Sequence, residues 1–69
     1  MVPYDDLTDR QKEILQLAAE GKSMKEISFI LNISSKTVEF HKYRLMRILG
    51  ARTNSDLTAI AIRHGLIAV

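Results

Sequence analysis

Sixty-nine residues with a net charge of +2, no cysteine and two histidines allow one small domain whose single core supplies only a few kcal/mol. They exclude a disulfide framework and a cysteine-based zinc site, and two histidines are too few for a metal centre, so neither metal nor cofactor is expected. No apolar run approaches the roughly 18 residues of a membrane-spanning helix and the N-terminus lacks a charged-then-apolar signal pattern, so the chain reads as soluble and cytoplasmic, with no membrane partner.

Residues 1–6 hold Pro3 and two acids without periodicity and read as a frayed N-terminus or the stub of a linker. Leu7 precedes Thr8, which forms a capping box with Gln11. The first helix is expected over about 9–20, with Ile14, Leu15, Leu17 and Ala18 inward and Gly21 as a left-handed stop. Ser23 and Glu26 form a second capping box, so a short second helix is expected over about 24–31, with Ile27 and Leu31 inward. Asn32 tolerates the positive φ of a turn and Ser34 caps a third helix over about 35–49, which Gly50 closes. Thr53 with Asp56 starts a fourth helix over about 54–64, ended by Gly65. Leu66, Ile67 and Val69 are expected to fold back and seal the core. No strand-period stretch or internal repeat interrupts this pattern. The fold class is therefore all-α: residues 7–69 make a four-helix, bundle-like domain whose second and third helices form a central helix-turn-helix.

The third helix has two incompatible faces. At 3.6 residues per turn, Val38, His41, Leu45, Ile48 and Leu49 fall on one side and suit a core. Lys36, Glu39, Phe40, Tyr43 and Arg47 fall on the other, with Lys42 and Arg44 on the flanks. That second face is poor core material, yet its mixture of charge and rings suits base edges, sugars and phosphates. A major groove roughly 12 Å wide admits such a helix. Charge along the chain agrees: residues 22–52 hold seven basic and two acidic side chains, a balance of +5, whereas the remainder holds three basic and six acidic, a balance of −3. A positive field over the middle of the domain is what a polyanion binder needs.

On the fourth helix Leu57, Thr58, Ala61 and Ile62 are grouped inward, and Asp56, Ala59, Ile60 and Arg63 outward. Ile60 is then an apolar side chain without an intramolecular reason to be there.

These residues carry a resemblance. Leu7-Thr8, Arg10, Glu13-Ile14-Leu15, Leu17, Gly21, Glu26-Ile27, Leu31, Ile33-Ser34, Thr37-Val38, His41, Leu49-Gly50 and Gly65-Leu66-Ile67 are similar to the LuxR-type (NarL/FixJ, GerE-like) helix-turn-helix domain, over about residues 7 to 67. The resemblance implies a four-helix DNA-binding module at the C-terminus of a transcription regulator, such as a two-component response regulator, behind a receiver or ligand-sensing domain. It also implies a homodimer formed through the fourth helix, with Asp56, Ala59, Ile60 and Arg63 as the candidate seam. Glu39 departs from the family's habit of Lys or Arg there, and Phe29 and Ile30 stand at generally polar positions of the second helix.

Phosphate contacts fix the register of a protein on a duplex, and base-edge contacts select the sequence. The candidates for phosphate are Lys22, Ser23 and Lys25 near the second helix's N-terminus, and Ser35, Thr37, Lys42, Arg44 and Arg47 on the third. For base readout they are Lys36, Glu39, Phe40 and Tyr43: a carboxylate accepts from cytosine N4, and a ring packs on a thymine methyl. His41 is assigned to structure.

An enzyme is not expected, because the chain has no phosphate-cradling glycine loop, no thiol and no carboxylate pair at a fixed spacing. A protein-interaction adaptor that has lost DNA binding would use Phe29, Ile30 and Ile60 as docking surfaces. A sigma-factor-like promoter-recognition domain shares the helix-turn-helix plan, but the Gly65-Leu66-Ile67 ending and the fourth helix favour the regulator.

Overall fold

Capping chemistry sets every boundary of the domain. The computed structural model describes residues 6–67, and among them are four helices: α1 (Asp9–Ala19), α2 (Met24–Leu31), α3 (Ser35–Leu49) and α4 (Asn54–Arg63). The expected linker 1–6 lies outside the described residues apart from the exposed Asp6, as does Val69. Thr8 and Ser23 both complete reciprocal capping boxes, with Gln11 and Glu26 respectively. Ser34 and Thr53 accept from the backbone N–H three residues on, Thr37 and Asp56. Each cap satisfies one of the four donors a helix leaves unpaired at its start.

The C-terminal ends share one closure. In α2 the Asn32 N–H donates to the Phe29 carbonyl and the Ile33 N–H reaches back to Ser28 at 3.0 Å, the two bonds of a Schellman motif. That geometry needs a left-handed residue, and Asn32 supplies it at φ 55, the one non-glycine positive φ among the described residues. The same bond pair closes α1, α3 and α4. The turn from α2 to α3 is thus pinned on both sides, by Asn32 behind and the Ser34 cap ahead.

The core is made by Leu7, Ile14, Leu15, Ile27, Val38, Leu45, Leu49, Leu57 and Ala61. α3 packs against both α1 and α2, and α4 packs against α1 and α3. Fully burying one such aliphatic side chain contributes roughly 1.5–3 kcal/mol, so a few of them decide whether so small a domain folds. Leu66 and Ile67 are half-buried against this cluster, as expected. Gln11 is buried too, at 4% exposure. Its backbone N–H and side-chain oxygen are both spent on Thr8, so the capping box is also what lets a polar residue enter the core.

One face assignment is corrected. Ile60 is half-buried and packs against the core, and Ile62 is exposed at 44%. The reason lies in the helical period: counted from the buried Leu57, positions three and four residues on are Ile60 and Ala61, which straddle the inward direction, whereas Ile62 at five lies well round toward solvent. Among the described residues of α4, the apolar side chain turned to solvent is Ile62.

Candidate nucleic-acid interface

α3 is enclosed on one side and open on the other. Val38, Leu45 and Leu49 are buried, and His41, Ile48 and Met46 are half-buried. On the far side Lys36, Glu39, Phe40, Tyr43 and Arg47 are all exposed, together with Arg44 on its flank, and no other segment among the described residues covers them. Lys36, Phe40, Tyr43, Arg44 and Arg47 lie within roughly a third of the helix circumference, which gathers three cations and two rings on one outward strip. Lys42 differs from the expected flank position only in being half-buried.

The rings of this strip are already engaged. The Arg44 guanidinium carbon lies 5.6 Å from the Phe40 ring centre, and that of Arg47 lies 5.9 Å from the Tyr43 ring centre. Both distances are within the roughly 6 Å reach of a cation–π contact. Phe40 also meets the His41 ring edge to face at 5.7 Å. His41 is half-buried on the inward side, and its buried Nδ1 has no hydrogen-bond partner among the described residues.

The short hydroxyls serve the caps. Ser23 and Ser34 accept backbone N–H groups. Thr37 is hydrogen-bonded to Ser34 at 2.8 Å, and Ser35 reaches Ser28 at 3.4 Å, which ties the start of α3 to α2. Lys22, Ser23 and Lys25 are exposed around the N-terminus of α2. That end borders the α3 strip: Met24 lines a cavity of about 310 Å³ with Glu39, Lys42, Tyr43 and Met46, whose other wall is Arg52, Thr53 and Asn54 at the start of α4. The N-termini of α2 and α4, where free N–H groups favour anions, therefore both border the same side of α3. Arg52 is a residue to which sequence reasoning gave no role. Its position just past the Gly50 closure of α3 is the signal that would have found it.

Among the described residues the ion pair is Arg10 to Glu13 on α1 at 3.7 Å, remote in sequence from the strip. Glu39 and the cations of α3 take no oppositely charged partner among those residues. Glu26 is the group with a displaced ionisation: hydrogen bonds from the Ser23 backbone and hydroxyl hold its carboxyl below the usual range.

A short turn between two capped helices, with a cationic and aromatic outward face on the second, defines a helix-turn-helix unit. Residues 5–61 match the family described as bacterial regulatory proteins, luxR family. The chain belongs to that family and is a LuxR-type DNA-binding helix-turn-helix domain. It is 42% identical over 65 residues to the uncharacterized response regulatory protein YgeK of Escherichia coli K12, a match covering 94% of this chain and 44% of that one. The fold superposes on the transcription factor GerE with a TM-score of 0.80 and 37% identity, over 90% of this chain and 92% of that one. It also superposes on VqmA of Vibrio cholerae, a dimeric LuxR-type receptor, with a TM-score of 0.86 and 32% identity, over 91% of this chain and 29% of that one. The chain spans less than half the length of the curated relative YgeK. No helix among the described residues is long and apolar enough to cross a membrane.

Proposed function

We propose that this domain is the C-terminal output domain of a cytoplasmic transcription regulator of the response-regulator kind, and that it lays α3 in the major groove of double-stranded DNA. The observation that carries the reading is the uncovered strip of α3, where Lys36, Tyr43 and Arg47 point away from the core. Lys36 and Glu39 read base edges, with Phe40 and Tyr43 beside them. Arg44, Arg47, Lys42, Ser35 and Thr37 meet the phosphates along α3, and Lys22, Ser23 and Lys25 meet them at the start of α2, where orphan N–H groups add to the attraction. The domain itself turns over no substrate and needs no cofactor.

Dimerisation through α4 belongs to the same proposal, with its seam moved. Ser55, Thr58, Ala59 and Ile62 line one open groove together with Asn54, and among the described residues this α4 face is left uncovered. Asp56 and Arg63 are exposed at its margins, whereas Ile60 is committed to the core. VqmA is a dimer with a target DNA, and its likeness to this chain supports a second copy as the occupant of this face.

A mobility-shift titration of the 69-residue chain with random-sequence duplex tests the reading. Binding that weakens steeply with salt is expected, since neutralised phosphates release counterions. No shift at any salt concentration would leave the adaptor reading, for which Phe29 at 87% and Ile30 at 51% exposure on α2 supply a surface apart from the basic strip.

A further inference from the structure

Phe40 and Tyr43 are exposed at 57% and 62%, yet neither ring is idle. Each lies under the guanidinium of the arginine one helical turn later, Arg44 at 5.6 Å and Arg47 at 5.9 Å. The two cation–π pairs stand side by side on the outward strip of α3, because positions 40, 43, 44 and 47 are neighbours at three- and four-residue spacing. Arg44 and Arg47 then line one open cavity of about 390 Å³, floored by Ile48. Neither guanidinium meets a carboxylate among the described residues, so the hydrogen-bonding edges of both forks are unspent. Phe40 is steadied in turn by the edge-on ring of the half-buried His41.

We propose that Phe40 and Tyr43 are positioning residues, each holding one guanidinium by its flat face so that Arg44 and Arg47 form a clamp for a single backbone phosphate, an assignment that rests on duplex binding by α3. A guanidinium stacked on a ring keeps its in-plane N–H groups free, and those donors match the oxygens of a phosphate in a way that a lysine does not. A free arginine must give up side-chain freedom when it meets a phosphate. Here part of that freedom is surrendered before the DNA arrives, and the ring contact is what holds it. The ring faces carry arginine instead of a thymine methyl, so the rings act on affinity for every sequence, and selection of sequence falls to Lys36 and Glu39.

The test is a set of double-mutant cycles on the full 69-residue chain, read by fluorescence anisotropy with random-sequence duplex and by selection from a randomised duplex pool. Phe40→Leu and Arg44→Lys are each expected to weaken binding about two- to fivefold on all sequences, with the double variant no weaker than the worse single. Tyr43→Leu and Arg47→Lys are expected to behave alike, Tyr43→Phe to lose less affinity than Tyr43→Leu because it keeps the ring, and the selected consensus to stay the same. Additive losses, a consensus shifted by Phe40→Leu, or a loss on Tyr43→Phe equal to that on Tyr43→Leu would overturn the clamp in a chain that still binds DNA. Absence of any duplex binding by the unaltered chain would overturn both the clamp and the reading beneath it, and so tells the two failures apart.

Discussion

Glu39 is a lone carboxylate beside the cationic strip of α3, without an ion-pair partner among the described residues. Against a phosphate it would be repelled, so on a DNA-facing helix its chemistry fits a base edge, where it accepts from cytosine N4. Glu39→Ala is expected to change the selected consensus at one position and to leave affinity for random duplex equal or higher. An identical consensus for both proteins from a randomised pool would reject that role. Glu26 works on stability instead. Its carboxyl is held low by hydrogen bonds from Ser23, so the charged form is favoured by folding. That contribution is present above the unfolded carboxyl's pKa and is lost as pH falls through the lower folded value. Thermal melts should show α2 protection declining in acid, and Glu26→Gln, which keeps an acceptor but does not titrate, should flatten the decline. Equal acid sensitivity in both chains would contradict the assignment. Caps such as Thr8 with Gln11 were legible in the sequence, because they depend on a three-residue spacing and two side-chain types. The unpartnered Nδ1 of His41 was not, because it depends on which way a ring turns inside a packed layer.

At the scale of the helix, the sequence identified four elements to within a residue or so, and their inward faces on α1, α2 and α3 followed from period alone. α4 was the exception. Its run Leu57-Thr58-Ala59-Ile60-Ala61-Ile62 is apolar nearly all round, so periodicity offers two inward directions and only packing against α1 and α3 selects one. Leu57 and Ala61 won, which drew Ile60 in and left Ile62 out. Two substitutions separate these roles. Ile60→Glu is expected to cost about 1–3 kcal/mol of folding stability, from lost burial and a charge set against the core. Ile62→Glu is expected to leave the melting transition within about 0.5 kcal/mol of the original, as exposed sites do, while weakening self-association in sedimentation. Unchanged self-association for Ile62→Glu would remove α4 as the dimer seam. The dipole ends add to the element-scale picture: α2 and α4 both begin beside α3, an arrangement that no single-helix pattern reveals because it depends on the angle of the turns.

Over the whole molecule, the charge division read along the chain becomes a division in space. The excess of cations in residues 22–52 lies on α3, at the start of α2 and at Arg52, around one uncovered strip, whereas on α1 Asp9 and Glu13 are balanced by Arg10 and Lys12. A duplex approaching that strip meets a net positive field, and each phosphate neutralised should add about 0.9 to the magnitude of the slope of log affinity against log salt. The direct test compares that slope for the unaltered chain, for Lys36→Ala/Arg47→Ala on the outward strip of α3, and for Arg10→Ala on α1. A fall of roughly one to two in the magnitude of the slope for the α3 pair, with the α1 variant unchanged, is the expected result. Equal slopes and affinities for all three chains would contradict it.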